Sequence, residues 1–281
     1  MISLRLAAMS STLAGAFIAT AFMTALLGAT PASAARCGGD FQTFVSAMSA
    51  EAASAGISRN TLDQAMSGLT QDQTVLSFDR RQRGTFNKTF EQYVATRVGA
   101  GRINMGRQML ARHASLLSRI EQRTGVPPQI VVAIWGLESD FGKGDIGKMP
   151  VIRTLATMAH DCRRTELFQG ELLAALKILQ RGDLPLRDLI GAFAGEIGQT
   201  QFLPSSYIKY GVDFDGNGHV DLRRSVPDVL ASTANLLHTN GFKMGAPYGE
   251  GSANFEAMRE WNHATIYRKT IAYFADQLMG R

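Results

Sequence analysis

The chain has little of what marks the specialised classes of protein. Its 281 residues include only two cysteines and eight prolines, and 19% are charged, which argues against a disulfide-rich scaffold and against a disordered chain. The 29 basic and 24 acidic residues leave a net charge of +5 with no basic run, so we expect no nucleic-acid partner. P-loop, dinucleotide-binding, GxSxG and HExxH motifs are absent, which argues against nucleotide-dependent enzymes, serine hydrolases and HExxH zinc hydrolases.

Charge is also scarce near the N-terminus. Arg5 is the only charged residue among residues 1–34, and the uncharged stretch at 13–27 is too short to span a bilayer comfortably. An A-x-A cleavage pattern follows this stretch and ends at Ala34. We therefore predict a signal peptide over residues 1–34, cleaved after Ala34, with no stable membrane anchor afterwards. An uncleaved anchor is the alternative.

Both cysteines lie in the part of the chain that remains after this cleavage, residues 35–281. No linker or repeat divides this part, so we interpret it as one domain. Two cysteines in an exported chain predict a disulfide between Cys37 and Cys162, with two unrelated thiols as the alternative. Arg36 stands directly before Cys37, where a lipoprotein signal needs a small residue, which argues against a lipid anchor.

Hydrophobic periodicity predicts an α+β fold that is predominantly α-helical. Strand signals are confined to short extended pieces around residues 212–222, and the polar segment 71–83 is interpreted as irregular. Ser58 is the expected N-cap of the second helix, and Gly125 is expected to end a later one. Helices are predicted over residues 41–55, 58–66, 86–98, 103–124, 126–138, 151–160, 164–181, 186–193, 227–239 and 255–278.

One predicted helix has an acid on its apolar face. The stripe that contains Ile130, Ile134 and Trp135 continues to Glu138 near the end of the helix. Burial in such a stripe raises the pKa of a carboxyl group, which is what a general acid at neutral pH requires. Glu138 is therefore the candidate catalytic residue, and a buried structural carboxyl group is the alternative.

Residues 195–207 (GEIGQTQFLPSSY) form a second candidate segment. Its glycines allow a close approach to the backbone, and the Gln201 amide offers the donor and the acceptor that sugar hydroxyl and acetamido groups bind. A glycine-rich loop before a serine-capped helix is the alternative. Glu196 adds a second carboxyl group, although nothing in the local sequence indicates that it faces Glu138.

A third segment, residues 213–221 (DFDGNGHVD), matches the first half of an EF-hand loop. Arg224 stands at loop position 12, where a glutamate is expected, so a standard loop is excluded and a longer one over 213–228 is predicted. Hard oxygen ligands favour Ca²⁺, and a metal-free turn rich in Asp and Asn is the alternative. The expected oxygen ligands are Asp213, Asp215, Asn217, the His219 carbonyl and Asp228.

Taken together, these segments are specific enough to indicate a protein family. Residues 134–142 (IWGLESDFG), then 195–207, the Asp213 loop and Trp261-Asn262, in this order, resemble the lytic murein transglycosylase B family over nearly all of residues 35–281. The resemblance implies a periplasmic enzyme whose catalytic domain has a lysozyme-like core and acts on the glycan strands of peptidoglycan. The implied reaction cleaves the β-1,4 bond between N-acetylmuramic acid and N-acetylglucosamine without water and leaves 1,6-anhydromuramoyl ends.

The resemblance also implies residue roles. Glu138 acts first as the acid and then as the base, Ca²⁺ is structural and no cofactor takes part in catalysis. Arg163 and Arg164 are expected to contact carboxylates of the peptide stem. Other cell-wall enzymes are candidate partners. Trp261 stands where the family pattern has a tyrosine. Substrate contacts are implied for Gln201, Asn262, Tyr267, Arg163, Arg164 and Tyr93.

The chain departs from the family pattern at a few positions. Ala192 replaces a serine that some members have beside the catalytic glutamate, while Leu167 and Leu236 replace aromatic sugar-binding residues. These differences concern substrate affinity and rate, not the class of reaction. Two alternatives stay open: a goose-type muramidase, which uses water as the nucleophile, and a glycan-binding protein without catalysis.

Overall fold

The computed structural model describes residues 35–81 and 89–281. The predicted signal peptide, residues 1–34, lies outside the described residues, as does the beginning of the helix predicted over 86–98. In these two ranges no helix combines the length and the apolar character that crossing a membrane requires. The described α-helices are α1 (Phe41–Ser54), α2 (Arg59–Met66), α3 (Gln73–Arg81), α4 (Phe90–Arg97), α5 (Ala100–Arg112), α6 (Ala114–Thr124), α7 (Pro128–Ser139), α8 (Val151–His160), α9 (Thr165–Arg181), α10 (Pro204–Tyr210), α11 (Val226–Thr239), α12 (Ala253–Ala257) and α13 (Thr265–Leu278).

One small antiparallel sheet accompanies these helices. Strand β1 (Met149–Pro150) pairs with β2 (Ile190–Gly191). The helix predicted over 186–193 is wrong, because only the 3-10 turn Leu186–Asp188 forms before the chain joins this sheet. The prediction of extended pieces around 212–222 is also wrong, because backbone N–H groups there bond to aspartate side chains and not to a strand. The predominantly helical α+β class is confirmed.

Helix α3 corrects the interpretation of residues 71–83 as irregular. Val75 and Leu76 are buried, and the helix packs against α8. The Asp72 carboxylate accepts hydrogen bonds from the N–H groups of Thr74 and Val75, at 2.9 and 3.4 Å, and so caps the first turn. A polar segment with a narrow apolar face forms a helix here because tertiary packing stabilises it.

Two of the predicted helices are each divided. Residues 103–124 fall into α5 and α6, which meet at His113, where φ is −107°. The His113 ring packs edge-on against Trp135, with ring centroids 5.8 Å apart. Residues 255–278 divide into α12 and α13, and the Asn262 carboxamide accepts a hydrogen bond from the Ala264 N–H just before α13. Periodicity misses both breaks because the apolar stripe resumes after each one.

Helix α7 lies at the centre of the core. All of residues 130–137 are buried, and α5, α6, α11 and α13 pack around the helix. It begins at Pro128, a position where proline is tolerated because that N–H has no partner within the helix. After Ser139 the chain turns sharply, with φ values of 48° at Asp140 and 62° at Phe141. Glu138 is therefore held at the end of a helix whose central residues are all buried.

The predicted disulfide between Cys37 and Cys162 is confirmed, with the two Cα atoms 5.1 Å apart. It ties the segment before α1 to the turn between α8 and α9. The same segment is held by hydrogen bonds, since the Ala35 N–H donates to a Glu51 carboxylate oxygen at 3.2 Å and the Ala35 carbonyl accepts from the Gln169 amide at 2.6 Å. The beginning of the described chain is thus a fixed part of the domain.

Candidate active site

The Glu138 carboxyl group is held by two donors from the far end of the chain. Its Oε1 accepts hydrogen bonds from the Tyr267 hydroxyl at 2.5 Å and from the Trp261 indole Nε1 at 3.1 Å. Burial raises the pKa of Glu138, and this effect exceeds the lowering by these two donors and by the charge of Arg97. In the described part of the chain, Oε2 receives no hydrogen bond, so it is the oxygen left for an incoming ligand.

A cavity of about 310 Å³ opens at this carboxyl group. Its wall combines carboxyl, amide and hydroxyl groups with apolar and aromatic surface, which suits a sugar with polar edges and apolar faces. It unites Glu138 with the segment 195–207, Leu236 on α11 and residues 260–262 before α13, whereas the Asp213 loop does not line it. The lining residues are Glu138, Glu196, Thr200, Gln201, Phe202, Leu203, Ser206, Leu236, Glu260, Trp261 and Asn262.

Glu196 is the cavity residue whose place the sequence did not indicate. Its side chain faces the same cavity as Glu138, and its Oε2 accepts a hydrogen bond from the Ala194 N–H at 3.0 Å. Burial raises the pKa of Glu196, while backbone donors and the charge of Arg164 lower it. Its negative charge in turn raises the pKa of Glu138. Only the folded chain brings these two carboxyl groups together, because 58 residues of helix and loop separate them.

The loop from 195 to 203 is shaped by tight backbone contacts. A Cβ at Gly195 would lie 2.5 Å from the Leu155 side chain, and φ at this residue is 86°. Gln201 adopts a positive φ of 53° without being glycine, and its side-chain amide donates to the Gly198 carbonyl at 2.7 Å. A positive φ at a non-glycine residue costs about 1–3 kcal/mol of conformational free energy, so the surrounding fold must stabilise Gln201 in this conformation.

Of the other predicted substrate contacts, Asn262 lies in the cavity wall and Tyr267 reaches Glu138 directly. Tyr93 is buried behind the site, where its ring has 7% exposure and lies beneath the Arg97 guanidinium. Burial raises the pKa of the Tyr93 hydroxyl, and the charge of Glu138 adds to this effect. Its predicted contact with the substrate stays a prediction.

The Asp213 loop gathers three carboxyl groups. Ligand oxygens of Asp213, Asp215 and Asp228 all lie within 4.8 Å of one another. Asp228 is fully buried, and burial raises its pKa although three backbone N–H groups donate to it. The Asn217 side chain instead accepts from the His219 N–H at 2.9 Å. Hard carboxylate oxygens this close together, one of them without solvent exposure, fit a divalent cation.

Comparison with known proteins supplies the family. A family profile described as the transglycosylase SLT domain matches residues 40–251. The chain belongs to the transglycosylase SLT domain family. This SLT-domain chain is also 41% identical over 136 residues to the membrane-bound lytic murein transglycosylase B of Escherichia coli (strain K12). That alignment covers 48% of this chain and 37% of the curated relative, so the match spans little more than a third of the relative's length.

Solved structures share the fold of this SLT domain. SltB3 from Pseudomonas aeruginosa, in complex with NAG-anhNAM-pentapeptide, has a TM-score of 0.81 and 32% identity and aligns over 86% of this chain and 80% of that one. The Escherichia coli lytic transglycosylase Slt35, in complex with calcium, has a TM-score of 0.72 and 25% identity over 87% of this chain and 96% of that one. These matches confirm the lysozyme-like fold.

The two arginines do not line the cavity of the SLT domain. Both Arg163 and Arg164 donate to the Asp79 carboxylate on α3, a helix that the sequence did not predict. Arg163 also pairs with Asp161. The charge of Arg164 also lowers the pKa of Glu196. Both arginine side chains remain about half exposed, at 44% and 46%.

The three departures from the family pattern lie in different surroundings. Leu236 lines the cavity, whereas Leu167 is an exposed apolar side chain on α9. Ala192 donates its backbone N–H to the Glu196 carbonyl at 2.8 Å, so it shapes the loop that carries Glu196. Each of the three thus offers apolar contact where the family pattern has a polar or aromatic one.

Proposed function

We propose that this SLT-domain chain is a peptidoglycan lytic transglycosylase and that Glu138 is its only catalytic acid and base. The observation that carries the proposal is the Glu138 carboxyl group, with its raised pKa, held through Oε1 at the wall of a polar cavity. A carboxyl group with a raised pKa keeps its proton to higher pH and can give it to a leaving sugar oxygen. The SltB3 complex with a NAG-anhNAM-pentapeptide supports the same class of substrate.

The reaction needs one proton donor and no water. Glu138 protonates the glycosidic oxygen between N-acetylmuramic acid and N-acetylglucosamine, and the bond from that oxygen to C1 breaks. The acetamido group of the muramoyl sugar stabilises the positive charge at C1, assisted by protein dipoles. The ionised Glu138 then takes the proton of the 6-hydroxyl group, and O6 bonds to C1 to give the 1,6-anhydro end. Glu138 ends protonated, so the cycle closes.

The surrounding residues bind and orient the substrate. Tyr267 and Trp261 hold Oε1, which leaves Oε2 to carry the transferred proton. Gln201 and Asn262 offer amides to the sugar edges, because both line the cavity. Arg163 and Arg164 are assigned to the carboxylates of the peptide stem, and Tyr93 stays a candidate for stacking on a sugar. Other cell-wall enzymes stay candidate partners.

The Asp213 loop is assigned to structural Ca²⁺. Asp213, Asp215 and Asp228 would hold the ion with the Asn217 side chain and the His219 carbonyl. When bound, the ion supplies charge neutralisation to this cluster and no chemistry at the cavity. The calcium complex of Slt35 supports the assignment. EF-hand-like geometry stays a prediction.

The proposed location is the periplasm. Residues 1–34 have the charge, length and A-x-A pattern of a signal peptide that is cleaved after Ala34. The disulfide between Cys37 and Cys162 suits an oxidising compartment outside the cytoplasm. The relevant substrate, peptidoglycan, is found there.

Mass spectrometry of the muropeptides released from purified sacculi tests this function. The mature protein is expected to release fragments with 1,6-anhydromuramoyl ends, and Glu138→Gln is expected to release almost none. Reducing ends, with incorporation of ¹⁸O from labelled water, would instead identify a goose-type muramidase. Binding to sacculi without any release would identify a glycan-binding protein.

A further inference from the structure

Gln199 belongs to the segment 195–207 and contacts α7, the helix that carries Glu138. The proposed reaction itself does not use it. Its side chain is buried. Its Oε1 accepts a hydrogen bond from the Trp135 indole at 2.8 Å, and its Nε2 donates to the Arg223 carbonyl at 2.9 Å. Both polar atoms of the amide are thus hydrogen-bonded, and the two bonds join helix α7 to Arg223 in the Asp213 loop.

The contact acts on the last turn of α7. Trp135 precedes Glu138 by three residues, which is nearly one helical turn, so fixing the indole fixes the rotation of that turn. The turn that follows α7 packs on the same amide, because a Cβ at Gly142 would lie 2.3 Å from the Gln199 Oε1. Gln199 therefore contacts the chain both before and after Glu138.

The opposite side of Gln199 is anchored through the backbone. Its N–H donates to the Leu222 carbonyl at 2.8 Å, and a Cβ at the preceding Gly198 would lie 2.1 Å from the same carbonyl oxygen. The Arg223 guanidinium donates in turn to the Ile190 carbonyl in β2. The loop that carries Gln201 and the end of the Asp213 loop therefore move as one unit with Gln199.

We propose that Gln199 is a positioning residue, which sets the place of the Glu138 carboxyl group relative to the substrate loop by joining the Trp135 indole to the Arg223 carbonyl. An apolar side chain of similar length leaves a buried indole N–H and a backbone carbonyl without partners, so the last turn of α7 shifts toward new ones. A shift below 1 Å is enough to slow a step that depends on orientation. The kinetic part of this inference rests on the proposed function.

Two substitutions separate positioning from simple stabilisation. Gln199→Met removes both hydrogen bonds, and Gln199→Glu keeps an acceptor for Trp135 while losing the donor to Arg223. We expect kcat to fall about 10-fold in Gln199→Met and less in Gln199→Glu, with KM changed by less than about twofold. Gln169→Met is the matched control, since it removes the bond of another buried glutamine to the Ala35 carbonyl. It is expected to lower Tm and leave kcat unchanged.

The two tryptophans of the chain provide a readout that needs no activity. The Trp135 indole donates to Gln199 and the Trp261 indole donates to Glu138, so the two indole ¹H–¹⁵N signals report on the two ends of the proposed connection. Gln199→Met is expected to shift both signals, and Gln169→Met neither. Gln199→Glu serves the same test if the methionine variant does not fold, with a smaller shift of both signals expected.

The inference is overturned if kcat stays at the wild-type value while Tm falls, or if the Trp135 signal moves and the Trp261 signal does not. Either result would show that Gln199 holds Trp135 without placing Glu138. A wild-type protein that releases no muropeptides would refute the proposed function only, because the indole signals still decide whether Gln199 and Glu138 are connected.

Discussion

At the scale of single residues, Glu138 and Glu196 are two carboxyl groups of the cavity wall whose surroundings differ. Glu138 is bonded by side-chain donors from α13 and the segment before it, whereas Glu196 is bonded by the backbone of its own loop. Burial raises the pKa of both, but the positive charge that lowers it is Arg97 for Glu138 and Arg164 for Glu196. The two groups therefore do not ionise independently, because the charge of Glu196 raises the pKa of Glu138.

Glu138→Gln tests the acid directly. The amide keeps the shape and an acceptor for Tyr267 but has no proton to transfer, so the release of anhydromuramoyl ends is expected to fall by about 10²–10⁴. Circular dichroism and Tm should show a folded protein. Glu260→Gln is the matched control because Glu260 lines the same cavity. It should keep activity within a few-fold, and an equal loss in both variants would contradict the role of Glu138.

Glu196→Gln tests the electrostatic contribution of the second carboxyl group. Because the Glu196 charge raises the pKa of Glu138, its removal lowers that pKa. A general acid must be protonated, so activity is lost as pH rises through its pKa. The alkaline limb of the profile of kcat/KM against pH is therefore expected to move to lower pH. An unmoved limb in a folded variant would mean that Glu196 does not act on Glu138, and exposed Glu250→Gln provides the reference profile.

At the scale of elements, the cavity wall consists mainly of loop segments, with single side chains from α7, α10 and α11. Glu138 lies at the end of α7, and the rest of the wall comes from residues 196–206, from Leu236 on α11 and from residues 260–262 before α13. The Asp213 loop is held to α11 by Asp228, which accepts hydrogen bonds from three backbone N–H groups of the loop. The stability of this loop therefore depends on how far the negative charges of the three neighbouring carboxylates are neutralised.

Calcium is expected to stabilise the fold. Added Ca²⁺ should raise the Tm of metal-stripped protein, by an amount equivalent to about 2.7 kcal/mol when the ion is at 100 times its Kd. Asp213→Ala should abolish this gain, while Asp63→Ala, an exposed acid on α2, should keep it. A change in rate on addition of Ca²⁺ with no change in Tm would argue against a structural ion.

At the scale of the whole molecule, the start of the described chain is tied to elements far along the sequence. The disulfide closes a loop of 125 residues in sequence, and the hydrogen bonds of Ala35 reach α1 and α9. The covalent disulfide restricts the unfolded chain as well as the folded one, whereas the hydrogen bonds act only in the folded chain.

Replacing both Cys37 and Cys162 by serine is expected to lower the denaturant midpoint without abolishing folding. The chain-entropy model gives up to about 4.7 kcal/mol for a loop of about 100 residues. We expect less, because the hydrogen bonds of Ala35 already hold the same segment in place. Equal midpoints for the oxidised wild type and the double serine variant would show that the disulfide contributes nothing to stability.

Cleavage after Ala34 would turn the Ala35 amide into a charged amine 3.2 Å from the Glu51 carboxylate. The mature protein is therefore expected to be more stable, by about 1 kcal/mol, than a form that retains one extra residue. In a Glu51→Gln background the extra residue should make no difference. Tm values of the four proteins check this, and N-terminal sequencing of the exported protein checks that Ala35 is its first residue. Equal effects in both backgrounds would contradict the ion pair.

The sequence by itself determined the local features. It predicted the helical class, most helices with strong periodicity, the apolar stripe that ends at Glu138 and the disulfide, because each depends on neighbouring residues or on composition. It also placed Gln201 and Asn262 in candidate segments that prove to line one cavity. The cluster of aspartates in the Asp213 loop was predictable for the same reason, since most of them lie within a few residues of one another in the sequence.

The tertiary structure alone decided which of these local features meet. Glu196 beside Glu138, the Trp261 indole on Oε1 and the Gln199 bridge to Trp135 each join residues far apart in the chain. Periodicity has a range of a few turns, so it cannot report such contacts, nor the break at His113. Helix α3 also depends on the tertiary structure, because its burial against α8 outweighs its polar composition. Packing between distant elements therefore determined the site, and the local sequence determined its parts.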